Sequence, residues 1–244
     1  AALAVGNFPL DRTHDTSCAR PPEIVGRDVV RAADTTQGLP SNQIHKIAQD
    51  RLGRLWLAGP AGLACFDGHT VISHDRRSGL ACQGLRSVGI APLGTVWVGT
   101  DLGLEAIDAQ GKPQSWIGWS QWPYGLCEHI EARGDDVWVG CAQGIACIDT
   151  RNAQAPRVKF HVDIGFVRHI VRLADGTLYA ASDTPGVVRI DGTAWRPMQY
   201  PALRGRLIKR LAAGRPGELL VGTNAGLVVI DLASGQVLHT LRLQ

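Results

Sequence analysis

Apolar residues fall along this chain in short runs rich in Val, Ile, Leu and Trp, broken by Gly, Asp and Ser. Runs of four to eight residues bounded by turn formers read as strands. No run has the length and 3.6-residue period of a helix. The runs also repeat. RLGRLWLAGPAGLACFD, PLGTVWVGTDLGLEAID, RGDDVWVGCAQGIACID, ADGTLYAASDTPGVVRID and RPGELLVGTNAGLVVID align on Trp56, Trp97, Trp138, Tyr179 and Leu220, and each gap is 41 residues.

The flanking positions have physical reasons. A Gly stands upstream of each central residue (Gly53, Gly94, Gly134, Gly176, Gly217), where a short hairpin turn needs positive φ. A second Gly follows at Gly62, Gly103, Gly144, Gly186 and Gly226. Asp67, Asp108, Asp149, Asp191 and Asp231 close the units, as turn-starting residues. Each repeat holds four strands, A to D. In the first they are about Ile44–Gln49, Leu55–Ala58, Leu63–Phe66 and Thr70–His74. Four antiparallel strands in some 40 residues predict an all-β fold, a β-propeller of four-stranded blades.

Five blades are expected at about 40–80, 81–121, 122–162, 163–203 and 204–244. An outer strand at 29–34 precedes them, because Val29–Asp34 sits 41 residues before Thr70–Asp75. Residues 1–28 are only weakly repeat-like. The N-terminal part either lends a strand to a five-blade ring, forms a degenerate sixth blade, or belongs to a larger propeller. The fifth blade's own D strand at Gln236–Leu243 weighs against the first.

Composition narrows the function. The net charge of +3 does not favour nucleic acid, and no basic run interleaves with aromatics. No stretch approaches the roughly 20 apolar residues of a membrane helix. The opening Ala-Ala-Leu-Ala reads equally as the remnant of a cleavage site or as plain loop. No cofactor motif and no His/Cys cluster with metal spacing occurs.

GLPSNQIHKIAQDRLGRLWLAGPAGLACFDG resembles the two-component regulator propeller repeat. Gly38, Leu39, Pro40, Asp50, Gly53, Trp56, Gly62, Leu63, Phe66, Asp67 and Gly68 carry the likeness. It extends over about residues 34–244, and repeat four departs most, with Tyr179 and an extra residue before Gly186. The resemblance implies the periplasmic or extracytoplasmic sensor part of a bacterial membrane receptor. Such receptors signal through a histidine kinase or diguanylate cyclase and bind small molecules or oligosaccharides. Because a propeller is stiff, a signal is expected to travel through a homodimer or a neighbouring propeller.

Two features mark the face shared by the D–A and B–C loops. Trp116, Trp119, Trp122 and Tyr124 fall within nine residues, in a chain with only 7 Trp and 3 Tyr. Trp116 belongs to strand D. Trp119, Trp122 and Tyr124 then lie in the loop, either stacking on a sugar or partner or pinning the loop to its own blade. The second feature is at the heads of the A strands. His45-Lys46, Arg86-Ser87, Arg168-His169 and Lys209-Arg210 occupy equivalent positions, with Glu128-His129 in the third repeat. Facing a central channel, they form either a basic ring for an anionic ligand or a merely solvated lining.

Cys127 and Cys141 flank the Arg133–Asp136 turn and form a candidate disulfide. Cys65 and Cys147 lie two blades apart and are expected as unpaired core residues. No nucleophile elbow occurs, and the inner positions are mostly of one charge type, which favours binding over acid–base catalysis. A protein-interaction scaffold is the alternative reading, and a propeller lyase or hydrolase using His45, Glu128, His129 or His169 the second.

Overall fold

The computed structural model describes residues 3–5, 31–81, 83–118, 120–152 and 154–242. Their strands form five sheets of four antiparallel strands and one two-stranded sheet. The two-stranded sheet pairs β1 (Leu3–Val5) with β2 (Arg31–Ala33). Blade 1 holds β3 (Lys46–Gln49), β4 (Leu55–Gly59), β5 (Gly62–Phe66) and β6 (Val71–His74). Blade 2 holds β7 (Ser87–Ile90), β8 (Val96–Gly99), β9 (Leu104–Ile107) and β10 (Pro113–Ile117). Blade 3 holds β11 (Cys127–Arg133), β12 (Asp136–Cys141), β13 (Gly144–Asp149) and β14 (Arg157–Val162). Blade 4 holds β15 (Val167–Arg172), β16 (Leu178–Ser182), β17 (Val187–Asp191) and β18 (Ala194–Pro197). Blade 5 holds β19 (Ile208–Ala213), β20 (Glu218–Thr223), β21 (Gly226–Asp231) and β22 (Val237–Leu241).

Within each blade every strand pairs with the next in sequence. The first strands β3, β7, β11, β15 and β19 pack side by side in succession, so they form the inner wall. Each blade owns its outer strand, and β2 pairs with β1 instead of joining a blade.

The central repeat residue is a wedge between blades. Trp56 packs into the core shared with blade 2, Trp97 into that with blade 3, Trp138 into that with blade 4, and Tyr179 into that with blade 5. Strand alternation puts this position on the face turned to the following blade. A large flat side chain fills the space between two twisted sheets, which explains why the position recurs. Leu220 has the same register on the far side of blade 5 and is only half-buried.

The connections between blades also drive an anchor into each joint. Leu80 and Leu85 enter the first, Trp122 the second, Ile164 the third, and Tyr200 with Leu203 the fourth. Before blade 1 and before blade 2 the connection forms the same capped 3-10 turn. Asp34 and Asp75 cap it, and Gly38 and Gly79 end it at φ 98° and 101°. That positive φ is why Gly recurs there. The closing Asp residues act as turn formers: Asp67 accepts from the His69 and Thr70 backbone N–H groups, and Asp108 from those of Gln110 and Lys112.

Candidate ligand-binding site

The aromatic loop before blade 3 turns inward. Trp122 is 2% exposed, donates its indole N–H to the Gly125 carbonyl at 2.7 Å, and sits edge-on to Tyr124. Tyr124 is half-buried and stacks on His161 with ring centroids 4.0 Å apart. The expectation of a ligand platform at Trp122 is therefore corrected: the side chain is the anchor of its connection, already covered by protein. Trp116 lies in β10, the outer strand of its blade. Trp119 lies outside the described residues.

The inner-strand heads divide into three groups. His45 Nδ1 lies 2.8 Å from the Leu85 carbonyl, a tie to the next blade. Arg86 and Arg168 are each spoken for within their own blade. Arg86 donates to Asp101 at 2.7 Å, and Arg168 donates to Asp183 at 2.6 and 3.0 Å. The third group centres on Lys46 of blade 1, whose charge feels Arg210 of blade 5 and Glu128 and Glu131 of blade 3. Lys209 is exposed beside Arg210.

Burial pushes the Lys46 ammonium down to about 8, and the Arg210 charge adds to that; Glu128 and Glu131 oppose it. His129 is 5% exposed, and burial holds its imidazole well below the usual range, with His169, Lys46 and Arg210 adding to the effect. Its Nδ1 accepts from the Ile170 backbone N–H at 3.3 Å. The His169 ring lies 3.9 Å away, centroid to centroid, and burial lowers its pKa to about 3. Both rings are thus neutral at pH 7, and neither adds positive charge to a ring. The basic ring expected from the sequence reduces to Lys46, Lys209 and Arg210. Two residues that the sequence reading had not singled out for this site, Glu131 and Arg172, face each other at 3.9 Å nearby. Burial raises the Glu131 pKa, with Arg172 the first of the charges opposing it.

Cys127 and Cys141 are paired residues of β11 and β12, yet both are free thiols, correcting the candidate disulfide. Their sulfurs are engaged separately. Cys127 Sγ donates to the Gly103 carbonyl at 3.4 Å in blade 2, and Cys141 Sγ to the Gly144 carbonyl at 3.2 Å in its own blade. A β-bulge between Cys127 and His129 accompanies this divergence. Cys65 and Cys147 are also free and buried.

Among the described residues no helix is long and apolar enough to cross a membrane. Residues 38–61 match the family model described as two component regulator propeller. No curated protein is significantly similar to the chain in sequence. Solved structures share its fold. The extracellular domain of the hybrid two-component system BT3049 from B. thetaiotaomicron matches at 21% identity and TM-score 0.66, over 87% of this chain and 32% of that one. The corresponding domain of BT4673 from the same organism matches at 16% identity and TM-score 0.64, over 82% of this chain and 28% of that one. The chain thus spans less than a third of the length of these extracellular-domain structures. Virginiamycin B lyase from Staphylococcus aureus, in its catalytically inactive H270A form with quinupristin, matches at 14% identity and TM-score 0.66, over 82% of this chain and 70% of that one. The chain is a β-propeller, and residues 38–61, running from the connection before its first blade into that blade, are similar to the two component regulator propeller model.

Proposed function

We propose that this propeller is the extracytoplasmic ligand-binding part of a bacterial signalling receptor, and that it takes a small anionic molecule at the head of its inner strands. The observation that carries the reading is the pairing of like charges. Lys46 and Arg210 come from blades far apart in sequence, and burial together with the Arg210 charge brings Lys46 down to about 8. Holding the half-buried Lys46 cation within reach of the exposed Arg210 charge costs free energy, and an anion bound beside Lys46 offsets that cost. The neutral His129 and His169 offer hydrogen bonds beside them without competing for charge.

The test is thermal-shift and calorimetric titration with neutral and acidic oligosaccharides, small carboxylates and phosphates. A bound anion stabilises the folded state by mass action. The expected ligand saturates, is not consumed, and loses affinity in the Lys46→Ala/Arg210→Ala double variant. The pH dependence has a definite sign. Free Lys46 loses its proton as pH rises through about 8, while a bound anion keeps it protonated. Affinity therefore falls above pH 8, and binding there takes up protons. A ligand bound equally well by the double variant, or consumed during the titration, would sink the reading.

A further inference from the structure

We propose that a second site, the pocket between blades 4 and 5, binds a small organic carboxylate with an apolar body. The inference goes beyond the inner-strand site and holds whether or not that site takes an anion. The pocket has a volume of about 540 Å³, and its walls are the Asp183–Val187 loop and the Met198–Ile208 connection. That volume is in the range of small-molecule sites.

The pocket exists because repeat four departs from its neighbours. In the other four blades the second repeat Gly lies under a backbone carbonyl from the end of the outer strand. A Cβ on Gly103 would meet the Ile117 oxygen at 2.0 Å, on Gly144 the Val162 oxygen at 2.1 Å, and on Gly226 the Leu241 oxygen at 2.1 Å. On Gly62 it would meet the His74 oxygen at 2.5 Å. On Gly186 it would meet nothing within 4 Å. The extra residue in that loop and the early end of β18 at Pro197 leave the space open.

Two residues of the lining each carry a buried polar atom without a hydrogen-bond partner. Tyr200 is 7% exposed, and its buried hydroxyl has no hydrogen-bond partner. Arg206 Nη1 is likewise buried and without a partner. Burial raises the Tyr200 phenol to about 12, so it remains a donor. Buried donors left without acceptors are costly, and native structures rarely keep them. Asp183, on the same wall, is already committed to Arg168. Arg204 also lines the pocket, so its unpaired charge is positive. A guanidinium fork matches a carboxylate in bidentate geometry. Val187, Met198, Leu203 and Ile208 supply an apolar wall for the rest of the molecule.

Calorimetric titration of the whole chain with benzoate and inorganic phosphate tests the assignment. Benzoate is expected to saturate, with phosphate much weaker because it leaves the apolar wall wet. Arg206→Ala should weaken benzoate at least about tenfold, as loss of a charged hydrogen-bond partner does. Arg206→Lys should recover only part, since it keeps the charge and loses the fork. Tyr200→Phe should weaken binding several-fold while leaving the melting temperature of the free protein level or higher, because it deletes an orphaned hydroxyl. The Arg206-dependent part of benzoate binding should persist in Lys46→Ala, which separates this site from the inner-strand site. The proposal is overturned by no saturation with benzoate up to about 10 mM, beyond the weak end of specific affinity. It is equally overturned by wild-type affinity in Arg206→Ala, or by a lowered melting temperature in Tyr200→Phe.

Discussion

The joint between blades 2 and 3 and the joint between blades 4 and 5 use the same repeat positions, yet the first is solid and the second is partly hollow. In the first, Trp97 is the wedge, Trp122 plugs the connection, and the Ile117 carbonyl closes over Gly103. In the second, Tyr179 is the wedge, Tyr200 and Leu203 plug the connection, and Gly186 is left uncovered. The wedge and the plug hold two blades together in both places. Whether the top of the joint is filled depends on how far the outer strand runs and on one residue in the loop opposite. A propeller can therefore open a pocket at one joint without weakening the repeat that builds the ring. The solid joints carry stability, and the hollow one has polar groups to spare.

The comparison breaks most visibly at the wedge. Trp97→Ala removes a side chain that is 1% exposed and should cost about 3–5 kcal/mol, read as a lower midpoint in urea unfolding. Leu220→Ala, at the same repeat position on the half-buried far side of blade 5, should cost only about 1 kcal/mol. Equal losses would mean that the wedge role does not depend on a following blade. The glycines give the next largest contrast. Gly103→Ala forces a Cβ into a backbone carbonyl at a φ of 148° and should cost about 3 kcal/mol. Gly186→Ala meets open space and carries only the strain of a positive φ, about 1 kcal/mol. Parallel unfolding curves for the two variants measure how hollow the fourth joint is.

The smallest effect sharpens the comparison between neighbouring blades. In blade 1, Asp50 accepts from the Trp56 indole N–H at 3.1 Å, from Arg54 Nε at 2.7 Å, and from the Leu52 and Arg54 backbone. In blade 2 the equivalent residue is Ala91, and the buried Trp97 Nε1 has no partner. Ala91→Asp should therefore stabilise the protein by about 1 kcal/mol, seen as a raised urea midpoint. A loss instead would show that the carboxylate needs the arginine that blade 2 lacks.

Much of the fold was legible because each recurring residue does a local job that does not depend on the rest of the chain. Turn glycines, strand-closing aspartates and the central wedge are required once per blade, so period and register could both be read. The first blade's predicted strands differ from the observed ones by at most two residues at an end. The site was less legible. Trp122 and Tyr124 read as exposed because they lie in a connection, but burial there depends on the gap between two blades. Arg86 and Arg168 read as free charges because their partners, Asp101 and Asp183, are 15 residues on in the chain. The recurrence of that Arg–Asp spacing two repeats apart was the available signal. Tyr200 and Arg206 belong to no motif. Only the extra residue before Gly186 pointed to their place in the fold.

By itself the sequence determined the blade, its four strands and the five repeats seen among the described residues, because turn chemistry and side-chain alternation act over a few residues. Tertiary structure alone decided which charges remained free, which histidines became neutral, and which joint stayed open. Those outcomes depend on desolvation and on distances between side chains of different blades, and strand periodicity carries no information about either.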